Sequence, residues 1–315
     1  MPIEKLIQVF VDALLPLVAG YLLKCSGKMS PAGCRSLMLV NVYFILSFMN
    51  LLSFWMLPLD SALLIIPVFS ILAALISGSL GYFTFGRQFG NILDRGSYSI
   101  SAMLSNIGTM GGLAGYVLFG EVGYAYTQLY AMSQNIMMVM FVFPLAQYFH
   151  DQYIQEAGGL KWHFSLREAL FTKKQLSLLG ALVGLGLHFA NVPRPDWLMN
   201  SFGMMVHVRP WIVMVPVGYQ MDFGNARLYY KKVLSLIPLR YLLVPAVVYS
   251  LARLFFSEPV VLGSILVSAA APVAINAVIT NTLYKLNVDL TVAAFIISTV
   301  SYIALFIPIM YILFH

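Results

Sequence analysis

The chain has 315 residues, of which 60% are hydrophobic and only 10% charged, and its mean hydropathy is +0.85. Soluble domains carry about 25% charged residues, so a single water-soluble core and a disordered chain are both excluded. Eighteen Lys and Arg against twelve Asp and Glu leave a net charge of +6, but the basic residues sit in short loops between apolar runs, a pattern that encodes membrane topology and argues against nucleic acid as a partner.

A helix needs about 20 mostly apolar residues to cross a bilayer. Ten runs meet this in chain order, at 6–23, 36–56, 61–85, 99–118, 122–149, 175–191, 197–220, 234–256, 260–283 and 290–313. The first is too long for the apolar part of a cleaved leader and is followed by Lys24, not by a small-residue processing site, so it is expected to be retained. Cys25 and Cys34 share the next short basic loop; with no His nearby, and on the reducing side, they are expected to be ordinary thiols. Runs two, three, four, five, nine and ten contain no Asp, Glu, Lys or Arg. The polar connection 150–174 divides the runs five and five. Thirteen Lys and Arg fall in the loops that share a side with it and two, Lys5 and Arg194, on the other side. This bias predicts a cytoplasmic 150–174 loop and both termini extracytoplasmic, in a cell inner (plasma) membrane surrounded by lipid.

An odd number of crossings per half inverts the second half relative to the first. Runs one and six begin 169 positions apart, and runs five and ten 168 apart. The predicted fold is therefore an all-α polytopic membrane protein: a five-helix repeat over 1–149, the loop 150–174, and an inverted five-helix repeat over 175–315. Runs four and nine are poor continuous helices. The fourth holds Gly108, Gly111 and Gly112 within seven residues of Asn106, and each glycine costs about 1 kcal/mol against alanine. The ninth holds Pro272, which removes a donor and clashes with the preceding turn. Irregular backbone at membrane depth is tolerated only inside protein or along a cavity. Matching broken runs in inverted halves point to a transporter's binding site, where half-helix N-termini favour an anion. Close helix packing through glycine, or a plain kink, is the alternative.

The order and spacing of several short motifs carry a resemblance. Asn106 to Gly112 is followed by Leu118-Phe119-Gly120. Arg240-Tyr241-Leu242-Leu243-Val244-Pro245 lies in run eight, and Ala271-Pro272-Val273-Ala274-Ile275-Asn276-Ala277, then Leu283-Tyr284, in run nine. Gly20-Tyr21-Leu22-Leu23-Lys24 closes run one. Over essentially its whole length the chain resembles the auxin efflux carrier family of permeases, which includes bacterial malate and malonate permeases. Leu113 and Ser47 stand where that family usually has proline, so the first break must rely on glycine. The resemblance implies ten helices in two inverted repeats, as in the bile acid/sodium symporter superfamily, with helices four and nine crossing at their breaks. Runs three to five with eight to ten would move against a scaffold of one, two, six and seven. That scaffold often forms a homodimer, and the movement would be elevator-like.

Ionisable residues at membrane depth are functional candidates. Asp12 lies ~9 Å into run one at 1.5 Å per residue, as a proton site or as one half of a charge pair. Arg209, ~18 Å beyond Trp197, costs at least ~2.5–3.5 kcal/mol to insert. Its partner is a substrate carboxylate, Asp12, or carbonyls freed by Pro210. Arg240 is expected to satisfy carbonyls freed by Pro238 or Pro245, and Arg253 to reach the membrane surface. Asn106 and Asn276 sit at the two breaks, where an amide can cap a half-helix or donate to a carboxylate. Gln134 and Asn135 lie where the resemblance places polar residues facing the site. The expected substrate-binding set is Asn106, Gly108, Gly111, Gln134, Asn135, Arg209, Pro272 and Asn276. His188 and His207 are isolated and are expected to bind no metal. No GxxxxGK[ST], GxSxG, HExxH or CxxC signature appears, so no enzyme and no cofactor are expected. The expected function is secondary transport of small organic anions, mono- or dicarboxylates, with coupling to H+ or Na+ both open. A sodium-coupled symporter of bile acid carrier type, a channel and a transporter-like sensor are the alternatives.

Overall fold

A computed structural model of the protein describes residues 3–57, 61–156, 176–220 and 223–314. It is about 84% helical, and the described residues form no strand. In lipid this is the economical solution for a single chain, because helices satisfy their backbone groups internally.

Helix α1 spans Ile3–Cys25. Helix α2, Pro31–Val40, starts under Ser30, whose Oγ accepts from Gly33 N at 3.1 Å, with Pro31 in the first turn where no N–H is needed. It runs through a π turn, Asn41–Ile45, into α3, Leu46–Trp55. Helix α4 is Ile66–Phe83 and α5 Ile92–Met103. After a break, a π turn at Ile107–Gly111 leads into α6, Gly112–Ala131, and a second at Met138–Val142 into α7, Phe143–Glu156. Gly120 bends α6 sharply at φ 68°, ψ −156°, a backbone conformation that only glycine adopts at little cost. This one residue is the turn between the fourth and fifth runs.

The second half holds α8, Leu176–Phe189, and α9, Asp196–Gln220. Helix α10, Val244–Ala252, follows a π turn at Leu239–Leu243. Helices α11, Pro259–Ala269, and α12, Ile275–Leu283, flank a second break. Helix α13, Val288–Ser301, passes through a π turn at Tyr302–Phe306 into α14, Ile307–Phe314.

Three described helices are long and apolar enough to cross a membrane: Leu63–Gln88, Tyr230–Ala252 and Val288–Phe314. Shorter apolar helices lie at Leu14–Cys25, Leu46–Trp55, Leu179–Phe189 and Pro259–Ala269. Two boundaries differ from the sequence expectation. Helix α5 starts at Ile92, not 99, and carries Asp94 and Arg95 on its first turns. Helix α7 runs to Glu156, past the start of the expected 150–174 loop. Most of that loop, with Lys161, Arg167, Lys173 and Lys174, lies outside the described residues, as does His315.

The outer surface is rich in apolar side chains, and the largely apolar interior also holds buried polar groups. Leu64, Phe83, Leu182, Leu305 and Ile312 are exposed, while Ser97, Ser101, Thr127, Ser268, Asn281 and Thr291 are fully buried. Water would penalise that arrangement and hydrocarbon would favour it.

Two helix pairs pack backbone to backbone. Helix α1 lies on α9, where a Cβ on Gly20 would stand 2.0 Å from Val215 O, and one on Gly218 would stand 2.0 Å from Leu17 O. Helix α8 lies on α3, with Gly180 and Gly184 pressed against the carbonyls of Ser47 and Leu51. Gly180 and Gly184 form a GxxxG step, the spacing that lets two helices approach closely where lipid supplies no hydrophobic drive. Helix α9 also packs on α2 and α3, which makes α1, α2, α3, α8 and α9 one group. Helices α4 to α7 and α10 to α13 form a second, with α5 against α4, α7 and α13, and α6 against α11. Arg194, in the turn after α8, ties the two together: it donates to Leu52 O and makes a bidentate pair with Glu121, just past the Gly120 bend. Both cysteines are free, Cys25 exposed and Cys34 buried.

Candidate functional site

The two breaks cross. Helix α5 ends at Met103, and Ser105 pairs with Val273 in an antiparallel bridge. Asn106 N donates to Pro272 O at 2.7 Å, and Ala274 N donates to Leu104 O at 3.0 Å. Each interrupted segment therefore supplies the backbone partners that the other lost, as burial demands. Proline accounts for the second break directly, since residue 272 has no N–H to offer. The first break lies slightly before the glycines that drew attention to it. Gly108 and Gly111 belong to the π turn and Gly112 to the first turn of α6, all with ordinary negative φ. Gly112 serves close approach, since a Cβ there would meet Gln128 Nε2 at 2.7 Å, whereas one on Gly108 would come no nearer than 3.6 Å to Arg209 Nη2.

A single guanidinium closes the crossing from one side. Arg240, 1% exposed, donates through Nη2 to Ser101 O (2.7 Å), Ala102 O (2.9 Å) and Leu104 O (2.8 Å). Through Nη1 it donates to Ala271 O (2.5 Å) and Ser105 Oγ (2.9 Å). It collects carbonyls that α5 and α11 leave unpaired at their C-terminal ends, where a cation also suits the helix dipole. The sequence expectation gave Arg240 the carbonyls freed by Pro238 or Pro245. It takes those of the crossing instead, because two broken helices expose more acceptors than one proline.

Arg209, 4% exposed, holds the other side. Its Nη1 donates to Gly108 O (2.6 Å) and to Tyr124 Oη (2.8 Å), and its Nε to Asn41 Oδ1 (3.3 Å). Gln128 Nε2 donates to the same Gly108 carbonyl at 3.2 Å. Among the described residues Nη2 makes no hydrogen bond, and no carboxylate lies within 4.0 Å of Arg209 or Arg240. Of the three partners weighed for Arg209, the structure supplies a carbonyl, though from the first break and not from Pro210. Asp12 is engaged elsewhere: His207 Nδ1 stands 2.6 Å from Oδ2, and Trp211 Nε1 donates to Oδ1 at 3.2 Å.

The other expected residues are placed as follows. Asn106 reaches the second break through its backbone, while its buried Nδ2 has no partner among the described residues. Gly111 faces Ala271, and Pro272 is buried at the bridge. Gln134 Nε2 donates to Ser105 O. Asn276 is half-buried in the first turn of α12, and its carbonyl accepts from Thr280 Oγ1. Asn135 is helical, and its side chain lies outside the described residues. Beside the first break, Ser70, Met103, Ser105, Ile107, Tyr130 and Gln134 line much of a narrow crevice. Asn41, Ser105, Tyr124 and Gln128 belong to the site and were not singled out in the sequence. Their one signal there is that they are polar residues inside apolar runs.

The crossing thus holds two buried guanidinium groups, and the N-termini of two half-helices start at Ile107 and Ile275. The guanidinium charges and the helix N-termini are all electropositive. The fold and site define a helical chain of membrane character with an electropositive, irregular centre. No protein-family model matches the chain, and no curated protein matches it.

Proposed function

We propose that the protein is a secondary transporter of small organic anions, mono- or dicarboxylates, in the inner (plasma) membrane. The observation that carries this reading is the pair of buried arginines at the crossing, neither with a carboxylate among the described residues. Burying a cation without a counter-ion is costly, and a carboxylate substrate offsets that cost each time it binds. Nη2 of Arg209 and the buried Nδ2 of Asn106, neither hydrogen-bonded among the described residues, are donors suited to a carboxylate.

In this reading the chain crosses the membrane ten times, in two inverted five-helix repeats. Three features support the repeat. The bridged residues Ser105 and Val273 are 168 positions apart, equal to the spacing between runs five and ten. The π turns at Met138–Val142 and Tyr302–Phe306 lie in the fifth run of each half. Run one packs on run seven and run six on run two, which is the same contact with the halves exchanged. The scaffold is then the group of α1, α2, α3, α8 and α9. The crossing belongs to the moving group, which carries the anion from one face to the other, and Arg209 meets it from scaffold helix α9.

Purified protein in proteoliposomes, loaded with unlabelled acetate, lactate, malonate, malate or succinate, tests this by uptake of the same labelled anion. Counterflow is expected with at least one of them, and it should respond to a pH or sodium gradient applied separately. Passive equilibration without counterflow would identify a channel, and no anion-dependent flux at all would remove the proposal.

A further inference from the structure

The pair formed by Asp12 and His207 lies outside the anion site and has a chemistry of its own. Asp12 is 5% exposed on α1, and both of its oxygens are occupied, Oδ2 by His207 Nδ1 at 2.6 Å and Oδ1 by the Trp211 indole at 3.2 Å. An indole N–H can only donate, so Oδ1 is an acceptor whatever the protonation state. At 2.6 Å one proton must lie between Oδ2 and Nδ1. The charge of the pair is then −1 when the imidazole is neutral and 0 once the pair takes up a second proton.

Within 4.0 Å, His207 is the one ionic partner of Asp12 among the described residues. An uncompensated carboxylate at this depth is penalised, and taking up a proton removes that penalty. A metal cation is the poorer ligand. Hard cations need several oxygen ligands, and both oxygens here are turned toward N–H groups. No group of three or more His, Cys, Asp or Glu able to hold a metal occurs among the described residues.

The surroundings connect the pair to the anion site. On α9, His207 is two residues before Arg209, so the helix presents the two on different sides, one toward α1 and the other toward the first break. The His207 ring also meets the Tyr116 ring edge-on at 6.1 Å, and Tyr116 belongs to α6, which begins at that break. Other titratable or charged groups lie on the elements packed here. From α6 they are Tyr116 itself, Glu121, which is held by Arg194, Tyr124, whose hydroxyl accepts from Arg209, and Tyr126 and Tyr130, the latter donating to Phe69 O; from α2 they are Cys34 and Arg35. From the Tyr302–Phe306 turn there is Tyr302, whose hydroxyl donates to Val267 O.

We propose that Asp12 and His207 form the proton-binding site of the carrier, with H+ as the coupling ion. The coupling part rests on the carrier reading above; the proton site itself does not. Proton uptake by the purified full-length protein, counted between about pH 5 and 8 to bracket the ordinary histidine value, should be one proton lower in the Asp12→Asn, His207→Gln double variant. Equal uptake would overturn the proposal. If the double variant does not fold, solid-state NMR of wild-type protein with ring-15N histidine decides the same point: the His207 signal should change protonation state in that range, and an unchanging signal would overturn the site. In proteoliposomes, with whichever of the five carboxylates shows counterflow, a one-unit pH gradient should drive about tenfold accumulation at one proton per anion. Asp12→Asn should abolish accumulation and keep counterflow. Undiminished accumulation would overturn the coupling. Absence of counterflow with every anion would defeat the carrier reading and leave the proton count standing.

Discussion

Arg240 shows how much of this molecule rests on single buried groups. Five acceptors depend on it, four of them backbone carbonyls from two different helices. Arg240→Met would leave four of them without this partner or any other named here, Leu104 O keeping the Ala274 N–H, at about 1–3 kcal/mol each, a sum comparable with the whole stability of a typical domain. That variant is expected to fail to accumulate as folded protein, measured by fluorescence-detected size exclusion. Arg240→Lys has three donors in a compact head and cannot span the same fork, so it should fold with a lowered Tm. A Tm equal to wild type in Arg240→Met would refute the structural role. Arg209 differs in kind: its Nη2 is free of hydrogen bonds among the described residues. Substitution there should spare the fold more than it spares binding.

At the scale of elements, glycine does the work that apolar side chains do in soluble cores. A Cβ on Gly184 would come within 2.3 Å of Leu51 O, whereas one on Gly186 would meet nothing within 4 Å. Gly184→Ala should therefore destabilise the α3–α8 contact by about 1–3 kcal/mol. Gly186→Ala should be neutral or stabilising by up to ~1 kcal/mol. Thermal unfolding of the two variants checks the contrast, and equal shifts would mean that α8 does not lie on α3 in this register. The same scale shows what was legible in the sequence. Helix positions followed from the apolar runs, and the break at Pro272 from the chemistry of one residue. The first break was misplaced by about three residues, because glycines allow a break without fixing where it occurs. What fixes it is pairing with Val273 and the grip of Arg240, both far away in the chain. The Asp12–His207 contact, across 195 positions, left no local trace, since neither residue belongs to a motif.

For the molecule as a whole, the proposed topology states which ends face which compartment. Both termini are expected outside, and the connection between α7 and α8 inside. In a cysteine-free background, a single cysteine at His315 should react with an impermeant maleimide added to intact cells. One at Gly158 should react only after permeabilisation; the reverse pattern would invert the molecule. The central claim, that the crossing binds a carboxylate through Arg209, is reached most directly by calorimetric titration of the purified carrier with the carboxylate that shows counterflow. Hydrogen bonds to charged groups contribute about 1.5–3 kcal/mol. Arg209→Gln is thus expected to weaken binding about 10- to 150-fold, with Arg209→Lys in between because it keeps the charge and loses the fork. If both folded variants bind that anion with the affinity of the wild type, Arg209 does not contact the substrate, and the crossing is a structural joint.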